Sequence, residues 1–256
     1  MRIVLLSLIC LFSFVAQAAV VERVVEYKKA AESFEGFIAF DDSSTDSKPG
    51  VLVVHDWMGV TEKTREKARE LAQLGYIAFA ADIYGKGVRP KDAAEAGALA
   101  GKYKTDRKLF RERLTLGLQE LRKQKRVDSQ RLGAIGFCFG GTGVLELART
   151  GATLKSVVSF HGGLDSPEPQ LGKNIRARVL ALHGADDPYV PEKDLAAFES
   201  EMRTHKVDWQ LVKYGGAVHS FTDKTAGTDN SKGAAYNEVA ARRSWVDMKQ
   251  FFSESL

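Results

Sequence analysis

Short apolar runs rich in β-branched residues alternate along the 256-residue chain with longer segments whose apolar residues recur at helical spacing. Runs of this length predict strands that are buried on both faces of a sheet. They are residues 51–56 and 76–82 and the segments RLGAIGF, KSVVSFHG, RVLALHG and WQLVKY. Because strands and helices alternate, we expect the α/β class, with a mainly parallel sheet and helices on both faces.

The helical segments and the remaining strand complete this picture. The segment TEKTREKARELAQLG has helical spacing and ends in Gly75, which is typical of a helix stop. A second long helix is expected over residues 106–125, after a polar crossover that contains GKGVRPKD. The segment EGFIAF predicts an antiparallel strand at the edge of the sheet. Because no linker, repeat or low-complexity tract interrupts the pattern, residues 19–256 are expected to form one domain.

The first eighteen residues, MRIVLLSLICLFSFVAQA, follow a different pattern. One arginine precedes an apolar stretch that ends in the small residues a signal peptidase requires. A membrane anchor is the alternative, but the stretch is short for a span and no second one follows. Lipidation of Cys10 is a third reading, although the preceding Ile9 is bulky for such a site. We expect residues 1–18 to be a cleaved signal peptide, with a periplasmic protein that begins near Ala19.

Composition and charge exclude some classes of function. Charged residues make up 27% and apolar residues 44% of the chain, which is ordinary for a globular protein. A net charge of +4 is too small to indicate a nucleic-acid partner. Of the two cysteines, Cys10 would leave with the signal peptide. A lone Cys138 cannot form an intrachain disulfide, so it is either buried and inert or chemically employed.

The segment AIGFCFGGTG places Cys138 between a predicted strand and a predicted helix. Gly136 and Gly140 flank it in the frame that serine hydrolases use for a nucleophile on a tight turn, where the neighbours must be small. The helix N-terminus favours negative charge and helps a thiolate to form. The Phe139 N–H could donate to an oxyanion. These glycines match neither a dinucleotide motif nor a P-loop, so no cofactor is expected.

Two further candidates follow Cys138 in the order nucleophile, acid, histidine that α/β-hydrolases show. Asp187 lies in the loop after the strand RVLALHG. Its neighbour Asp186 competes for the role of the acid, and either residue could instead cap the next helix. His219 lies in a glycine-containing loop after WQLVKY. Three such residues in order, each after a strand, indicate a catalytic triad.

Other side chains at the predicted strand ends allow further readings. His55, His161 and His183 could suggest a metal site, but each is followed by residues typical of a strand-to-loop turn, so no metal is expected. Four large side chains are expected to line an apolar pocket. They are Trp57, Met58, Tyr84 and Phe221.

The sequence resembles the dienelactone hydrolase family of α/β-hydrolases over about residues 22–252. The resemblance rests on GFCFGG, HGADDPYVP and GAVHSFT, with HDWMGVT, DIYG and the ending GAAYNEVAARRSWVDMKQFF. It implies the α/β-hydrolase fold, with Cys138 as nucleophile, His219 as base and Asp187 as orienting acid. It also implies that the Trp57 N–H joins the Phe139 N–H in an oxyanion hole.

The chain departs from the family pattern around the thiol and the substrate. Asp56 stands where the resemblance implies a glutamate that holds the resting thiol. Lys86 and Asp223 stand where it implies two arginines that bind the carboxylate of dienelactone. A lysine and an aspartate bind a carboxylate poorly, so neutral small esters or lactones are expected as substrates. Tyr84 is also expected near the thiol and the substrate.

These features together predict a hydrolase of small esters or lactones that works through an acyl-enzyme. No cofactor, nucleic-acid partner or membrane attachment after signal cleavage is expected. The alternative is a non-catalytic binder or a thiol-redox protein on the same fold. The lack of a nearby second cysteine argues against redox exchange.

Overall fold

The computed structural model describes residues 20–256, in which eight strands form one sheet in the order β1-β2-β4-β3-β5-β6-β7-β8. The strands are β1 (Val20–Lys29), β2 (Glu32–Asp41), β3 (Lys48–Val54), β4 (Ile77–Ala81), β5 (Val127–Phe137), β6 (Ser156–Phe160), β7 (Arg178–Gly184) and β8 (Trp209–Tyr214). From β4 to β8 all neighbours are parallel, which confirms the mainly parallel sheet. The predicted signal peptide, residues 1–18, lies outside the described residues.

The edge of the sheet differs from the prediction. The segment EGFIAF lies in β2, which is antiparallel to β4 as expected, but β2 is second from the edge. The edge strand is β1, which the apolar pattern did not reveal. Of its ten residues only Tyr27 is buried, so β1 lacks the apolar run by which the central strands were identified.

Helices cover both faces of the sheet, as predicted. Within residues 20–256 they are α1 (Glu62–Gln73), α2 (Ala93–Thr105), α3 (Arg107–Lys123), α4 (Phe139–Arg149), α5 (Glu192–Thr204) and α6 (Glu238–Ser253). Short 3-10 helices cover Pro169–Asn174, Lys224–Ala226 and Asn230–Lys232. Helices α1 and α6 pack in one apolar core, and α2 to α5 pack in the other. None of the helices in this part of the chain is both long and apolar enough to cross a membrane.

Helix α2 was not predicted, because its sequence AAEAGALAGKYKT consists mainly of small residues and lacks a strong apolar stripe. Two aspartates cap the starts of α2 and of the next helix, α3. The Asp92 side chain accepts from the Glu95 N–H at 2.9 Å, and the Asp106 side chain accepts from the Leu109 N–H at 2.9 Å. An N-cap of this kind stabilises a helix by about 1 kcal/mol, so α2 and α3 begin as separate helices.

The position of β5 decides where the candidate site lies. This strand pairs with β3 on one side and with β6 on the other, and residues 132–137 are all buried. The carboxyl ends of these parallel strands meet at one edge of the sheet. Cys138, directly after β5, therefore lies among the loops that follow β3, β6, β7 and β8.

Candidate active site

Cys138 occupies a sharp turn between β5 and α4. Its backbone has φ 54° and ψ −114°, a conformation that is strained for a residue with a side chain. Two glycines make the turn possible. A Cβ atom on Gly136 would overlap the carbonyl oxygen of Gly140, and one on Gly140 would overlap the carbonyl oxygen of Val54. The turn is thus closed too tightly for larger neighbours, and it directs the thiol away from the strand.

His219 lies between Cys138 and Asp187. His219 Nε2 is 3.0 Å from Cys138 Sγ, and His219 Nδ1 is 2.8 Å from Asp187 Oδ2. Asp187 is buried in the loop after β7, where its Oδ1 accepts from the Tyr189 N–H at 2.9 Å. Asp186 is exposed. The structure therefore brings Asp187, and not its neighbour, against the histidine.

These contacts shift the pKa of His219. Burial disfavours the charged imidazolium and lowers the pKa, but hydrogen bonds to Asp187 and Cys138 and the charges of both partners outweigh it. The result raises the pKa of His219 to about 10. The site thus stabilises a positively charged imidazolium next to the sulfur.

His161, directly after β6, contacts the turn at Cys138. Its Nδ1 accepts from the Cys138 N–H at 3.2 Å, so its Nε2 carries the proton and donates to Thr222 Oγ1 at 2.7 Å. Burial lowers the pKa of His161 well below the usual range, which keeps the ring neutral. The sequence indicated no role for His161 other than that of a possible metal ligand. The segment SFHG could have indicated this contact, because it places His161 at the carboxyl end of the strand next to β5.

Two backbone N–H groups near Cys138 lack an acceptor among the described residues. Phe139 is the first residue of α4, so its N–H has no acceptor within the helix. The Trp57 N–H, in the loop after β3, donates to no group among residues 20–256. Trp57 and Cys138 line the same cavity.

The Asp56 carboxylate is occupied by partners other than the thiol. Its Oδ1 accepts from the Met58 N–H at 2.8 Å, and its Oδ2 lies 3.4 Å from Lys63 Nζ. Sγ of Cys138 is hydrogen-bonded to His219. In this structure Asp56 therefore holds the loop beside the cavity, and the sulfur of Cys138 contacts His219.

Lys86 does not belong to the site, so that prediction is wrong. The Lys86 N–H donates to the Ser33 carbonyl oxygen at 2.8 Å, which attaches this loop to the β1–β2 side of the molecule. Its Nζ lies 2.6 Å from Glu26 Oε1 on β1, and both side chains are exposed. The amine is thus directed away from the cavity.

Lys63 is the cation that pairs with Asp56 and Asp223 beside the cavity, and the sequence did not indicate it. It lies in the first turn of α1, and its Nζ is 2.7 Å from Asp223 Oδ2 and 3.4 Å from Asp56 Oδ2. Burial lowers the pKa of Lys63, but the hydrogen bond to Asp223 and the two acidic charges outweigh it, so the pKa is raised. Burial raises the pKa of Asp223, and hydrogen bonds from Lys63 and Thr225 reverse this to a lowered pKa. Lys63 and Asp223 are therefore charged.

The cavity next to Cys138 has a volume of about 150 Å³ and is lined by both apolar and polar groups, but three of the four large side chains expected to line it lie elsewhere. Trp57 lines it, whereas Met58, Tyr84 and Phe221 do not. Tyr84 is buried, and its hydroxyl donates to the Trp57 carbonyl oxygen at 2.9 Å. Charged side chains form much of the wall. They are Asp56, Lys63, Glu66, Lys67, Glu70, Asp223 and Lys224.

Metal ligands do not assemble here. Among residues 20–256 no three His, Cys, Asp or Glu side chains come together in an arrangement that could hold a metal ion. His55 and His161 each use both ring nitrogens in hydrogen bonds within the protein.

The sheet, the sharp turn at Cys138 and the order of Cys138, Asp187 and His219 along the chain are those of an α/β-hydrolase. Residues 34–256 match the model of the dienelactone hydrolase family. The chain belongs to the dienelactone hydrolase family, and it is an enzyme of the ester and lactone hydrolase class.

Several known proteins are similar over most of the chain. A dienelactone hydrolase-like promiscuous phosphotriesterase from metagenomic libraries is 41% identical, with a TM-score of 0.87, and the match covers 93% of this chain and 99% of that one. A protein of Bradyrhizobium sp. named a probable 2-oxo-3-(5-oxofuran-2-ylidene)propanoate lactonase is 30% identical, over 77% of this chain and 80% of its own. Dienelactone hydrolase from Anabaena variabilis, 19% identical with a TM-score of 0.65 over 93% of this chain and 99% of its own, shares the fold.

Proposed function

We propose that this protein hydrolyses small esters or lactones through an acyl-enzyme on Cys138. The observation that carries the proposal is the continuous hydrogen-bonded chain from Asp187 through His219 to Cys138, with distances of 2.8 and 3.0 Å. A nucleophile, a base and an orienting acid within hydrogen-bond reach are the parts that acyl transfer requires.

In the first half of the reaction, Sγ of Cys138 forms a bond to the carbonyl carbon, and the π electrons of the carbonyl move to its oxygen. The N–H groups of Phe139 and Trp57 stabilise this oxyanion. When the C–O bond breaks, the imidazolium of His219 gives its proton to the departing alkoxide, and a thioester remains. The raised pKa of His219 suits this role, because the charged form is present beside the sulfur at neutral pH.

In the second half, neutral His219 takes a proton from a water molecule, and the oxygen of that water attacks the thioester. The C–S bond breaks, the acid is released and the thiolate returns. Asp187 holds the Nδ1–H of the imidazole throughout, so that Nε2 faces the reacting atoms.

The charges of the cavity support neutral substrates. Lys63 is shared between Asp56 and Asp223, so its positive charge is already compensated, and the three groups together carry a negative charge. A carboxylate on the substrate would compete with Asp223 for the Lys63 amine. Small neutral esters and lactones avoid that competition.

Turnover measurements test the proposal. The panel contains p-nitrophenyl butyrate, dihydrocoumarin and, because of the similar phosphotriesterase, a neutral phosphate triester. We expect hydrolysis of the ester and the lactone, and a loss of about a thousandfold or more in Cys138→Ala and in His219→Ala. Lys86→Ala, outside the site, is the matched control and should keep full activity. If the wild-type protein is as inactive as Cys138→Ala on the whole panel, a non-catalytic binding protein is the better description.

We also propose that the protein is exported, on the N-terminal sequence alone. N-terminal sequencing of protein from a periplasmic extract is expected to begin at or near Ala19. Retention of Met1 in that fraction would contradict cleavage.

A further inference from the structure

We infer that His55 is the positioning residue of the oxyanion hole, because it fixes the peptide group that carries the Trp57 N–H. This inference rests on the proposed function, in which that N–H stabilises the developing oxyanion. His55 directly follows β3 and is 1% exposed, so it cannot reach the substrate and acts through the backbone.

Both nitrogens of the His55 ring are used. Nδ1 lies 2.5 Å from the Asp56 carbonyl oxygen, and Nε2 accepts from the Ile83 N–H at 3.2 Å. Because Nε2 accepts, the proton must lie on Nδ1, and Nδ1 donates to Asp56. Burial lowers the pKa of His55, which keeps this neutral form. The ring therefore links the end of β4 to the loop after β3.

The contact sets the direction of the donor at Trp57. The Asp56 carbonyl and the Trp57 N–H belong to one planar trans peptide, so they point in opposite directions. When His55 holds the carbonyl on its own side, the N–H must face the other side. The Gly59 N–H, 3.3 Å from the same carbonyl oxygen, supports this orientation. The Met58 N–H is taken by the Asp56 carboxylate, so the Trp57 N–H is the free donor at this bend of the loop within the described part of the chain.

The same ring contacts the residue of the second donor. The rings of His55 and Phe139 stack at 5.8 Å with an interplanar angle of 19°. Tyr84 packs edge-on against His55 at 4.8 Å, and its hydroxyl holds the Trp57 carbonyl at 2.9 Å. One buried histidine thus holds the peptide of the Trp57 donor and contacts the side chain of Phe139, and a hole that is arranged before the substrate arrives needs no reorganisation during the reaction.

Three variants of His55 separate this role from simple packing. His55→Leu removes the donor to Asp56. His55→Asn places an amide N–H where Nδ1 was, whereas His55→Gln places its amide near Nε2. We expect acylation of Cys138 by p-nitrophenyl butyrate, measured as the burst of nitrophenolate, to fall about 10- to 100-fold in His55→Leu and His55→Gln. His55→Asn should recover most of the rate, with KM nearly constant across the series.

Alkylation of Cys138 by iodoacetamide is the internal control. This displacement needs the nucleophilic sulfur but forms no oxyanion, so its rate should stay within about twofold of the wild type in all three variants. Equal losses of alkylation and acylation would overturn the inference, as would an unchanged acylation rate in His55→Leu. A failure of His55→Asn to exceed His55→Gln would also overturn it.

Two further measurements keep the inference testable. If His55→Leu does not fold, Tyr84→Phe removes only the hydroxyl that holds the Trp57 carbonyl, and acylation should fall about 3- to 10-fold without a change in alkylation. The second measurement is the affinity for butyraldehyde, whose carbonyl carbon bonds to Sγ and whose oxygen enters the hole without turnover. A wild-type protein that binds the aldehyde but hydrolyses no ester refutes the proposed function, and about tenfold weaker binding in His55→Leu still supports the role of His55. Equal binding in both proteins refutes that role.

Discussion

Two clusters of charged side chains in this protein differ in burial. One consists of buried residues of α4 and α5. In it, Arg149 makes two hydrogen bonds to Glu201, at 2.8 and 2.7 Å, and a third to Glu146 at 3.0 Å. Arg111 donates to the other oxygen of Glu146 at 2.8 Å. The side chains of Glu146, Arg149 and Glu201 are at most 1% exposed, so their charges are compensated by neighbouring charged side chains and not by solvent.

The other cluster lines the cavity in front of Cys138. It consists of Lys63 between Asp56 and Asp223, and these side chains are 37, 17 and 22% exposed. In this cluster Lys63 forms ion pairs with both Asp56 and Asp223, and the three side chains line a cavity that a ligand can enter.

The difference shows how burial separates two uses of ion pairs. The buried cluster lies in the second half of α4 and anchors the helix whose first residue offers the Phe139 N–H. Because its carboxylate oxygens are already paired, little charge is left for a substrate. The cavity cluster is hydrated in part and contributes little to stability, but its charge is felt by whatever binds next to Cys138.

The largest expected effect comes from the buried cluster. Glu146→Gln leaves Arg149 and Arg111 without the carboxylate they share, so the free energy of unfolding should fall by about 3–5 kcal/mol. Urea unfolding measures the change. The matched control is Glu199→Gln, which breaks the exposed pair with Arg203 and should cost less than about 0.5 kcal/mol. Similar losses in both variants would show that burial does not distinguish the clusters.

A smaller effect is expected at the contact of Cys138 with His219. The folded-state pKa of His219, about 10, lies above the unfolded value of about 6.5. The charged imidazole therefore contributes its full stabilisation below pH 6.5 and loses it as the pH rises through about 10. Cys138→Ala removes one of the two partners that raise this pKa, so NMR titration should find a lower value. Stability at pH 8 should fall by about 1–2 kcal/mol.

The pH dependence also separates this contact from the buried cluster. The stability difference between wild type and Cys138→Ala should shrink between about pH 8 and 10. The difference for Glu146→Gln should stay constant over that range, because carboxylates and guanidiniums do not ordinarily titrate there. An equal pH dependence of the two differences would contradict the assignment of the raised pKa to His219.

The cavity cluster should control substrate selectivity, with an effect on free energy that is similar to or smaller than that of Cys138→Ala. Asp223→Asn removes a negative charge and frees Lys63, so kcat/KM for an ester that carries a carboxylate should rise about tenfold relative to its methyl ester. Stability should change by less than about 1 kcal/mol. Asp229→Asn, in the loop before a 3-10 helix and outside the cavity lining, is the matched control. An unchanged ratio would show that these charges do not reach the substrate.

No measurable effect is expected from Lys86→Ala. Its partner Glu26 is exposed, and the pair lies outside the cavity. A change in kcat/KM for charged substrates, at unchanged melting temperature, would restore Lys86 to the site.

The sequence by itself determined the features that depend on neighbouring residues. Apolar runs predicted the central strands, because a strand buried on both faces needs them. The segment GFCFGG predicted the turn at Cys138, because only glycine permits so close an approach of Gly136 and Gly140. Residues that follow parallel strands end at one edge of the sheet, which is why Asp187 and His219 could be found from their loops.

Only the tertiary structure decided which distant groups meet. Lys63 and Asp223 are 160 residues apart, and no periodicity relates the start of α1 to the loop after His219. Lys86 has the right charge and follows a central strand, but its loop turns toward β1 and Glu26. The contact of His55 with Asp56 is local, yet the contact of its other nitrogen with Ile83 depends on the pairing of β3 with β4. Hydrophobic pattern encodes which residues are buried, whereas the partners of buried polar groups depend on how the loops pack in three dimensions.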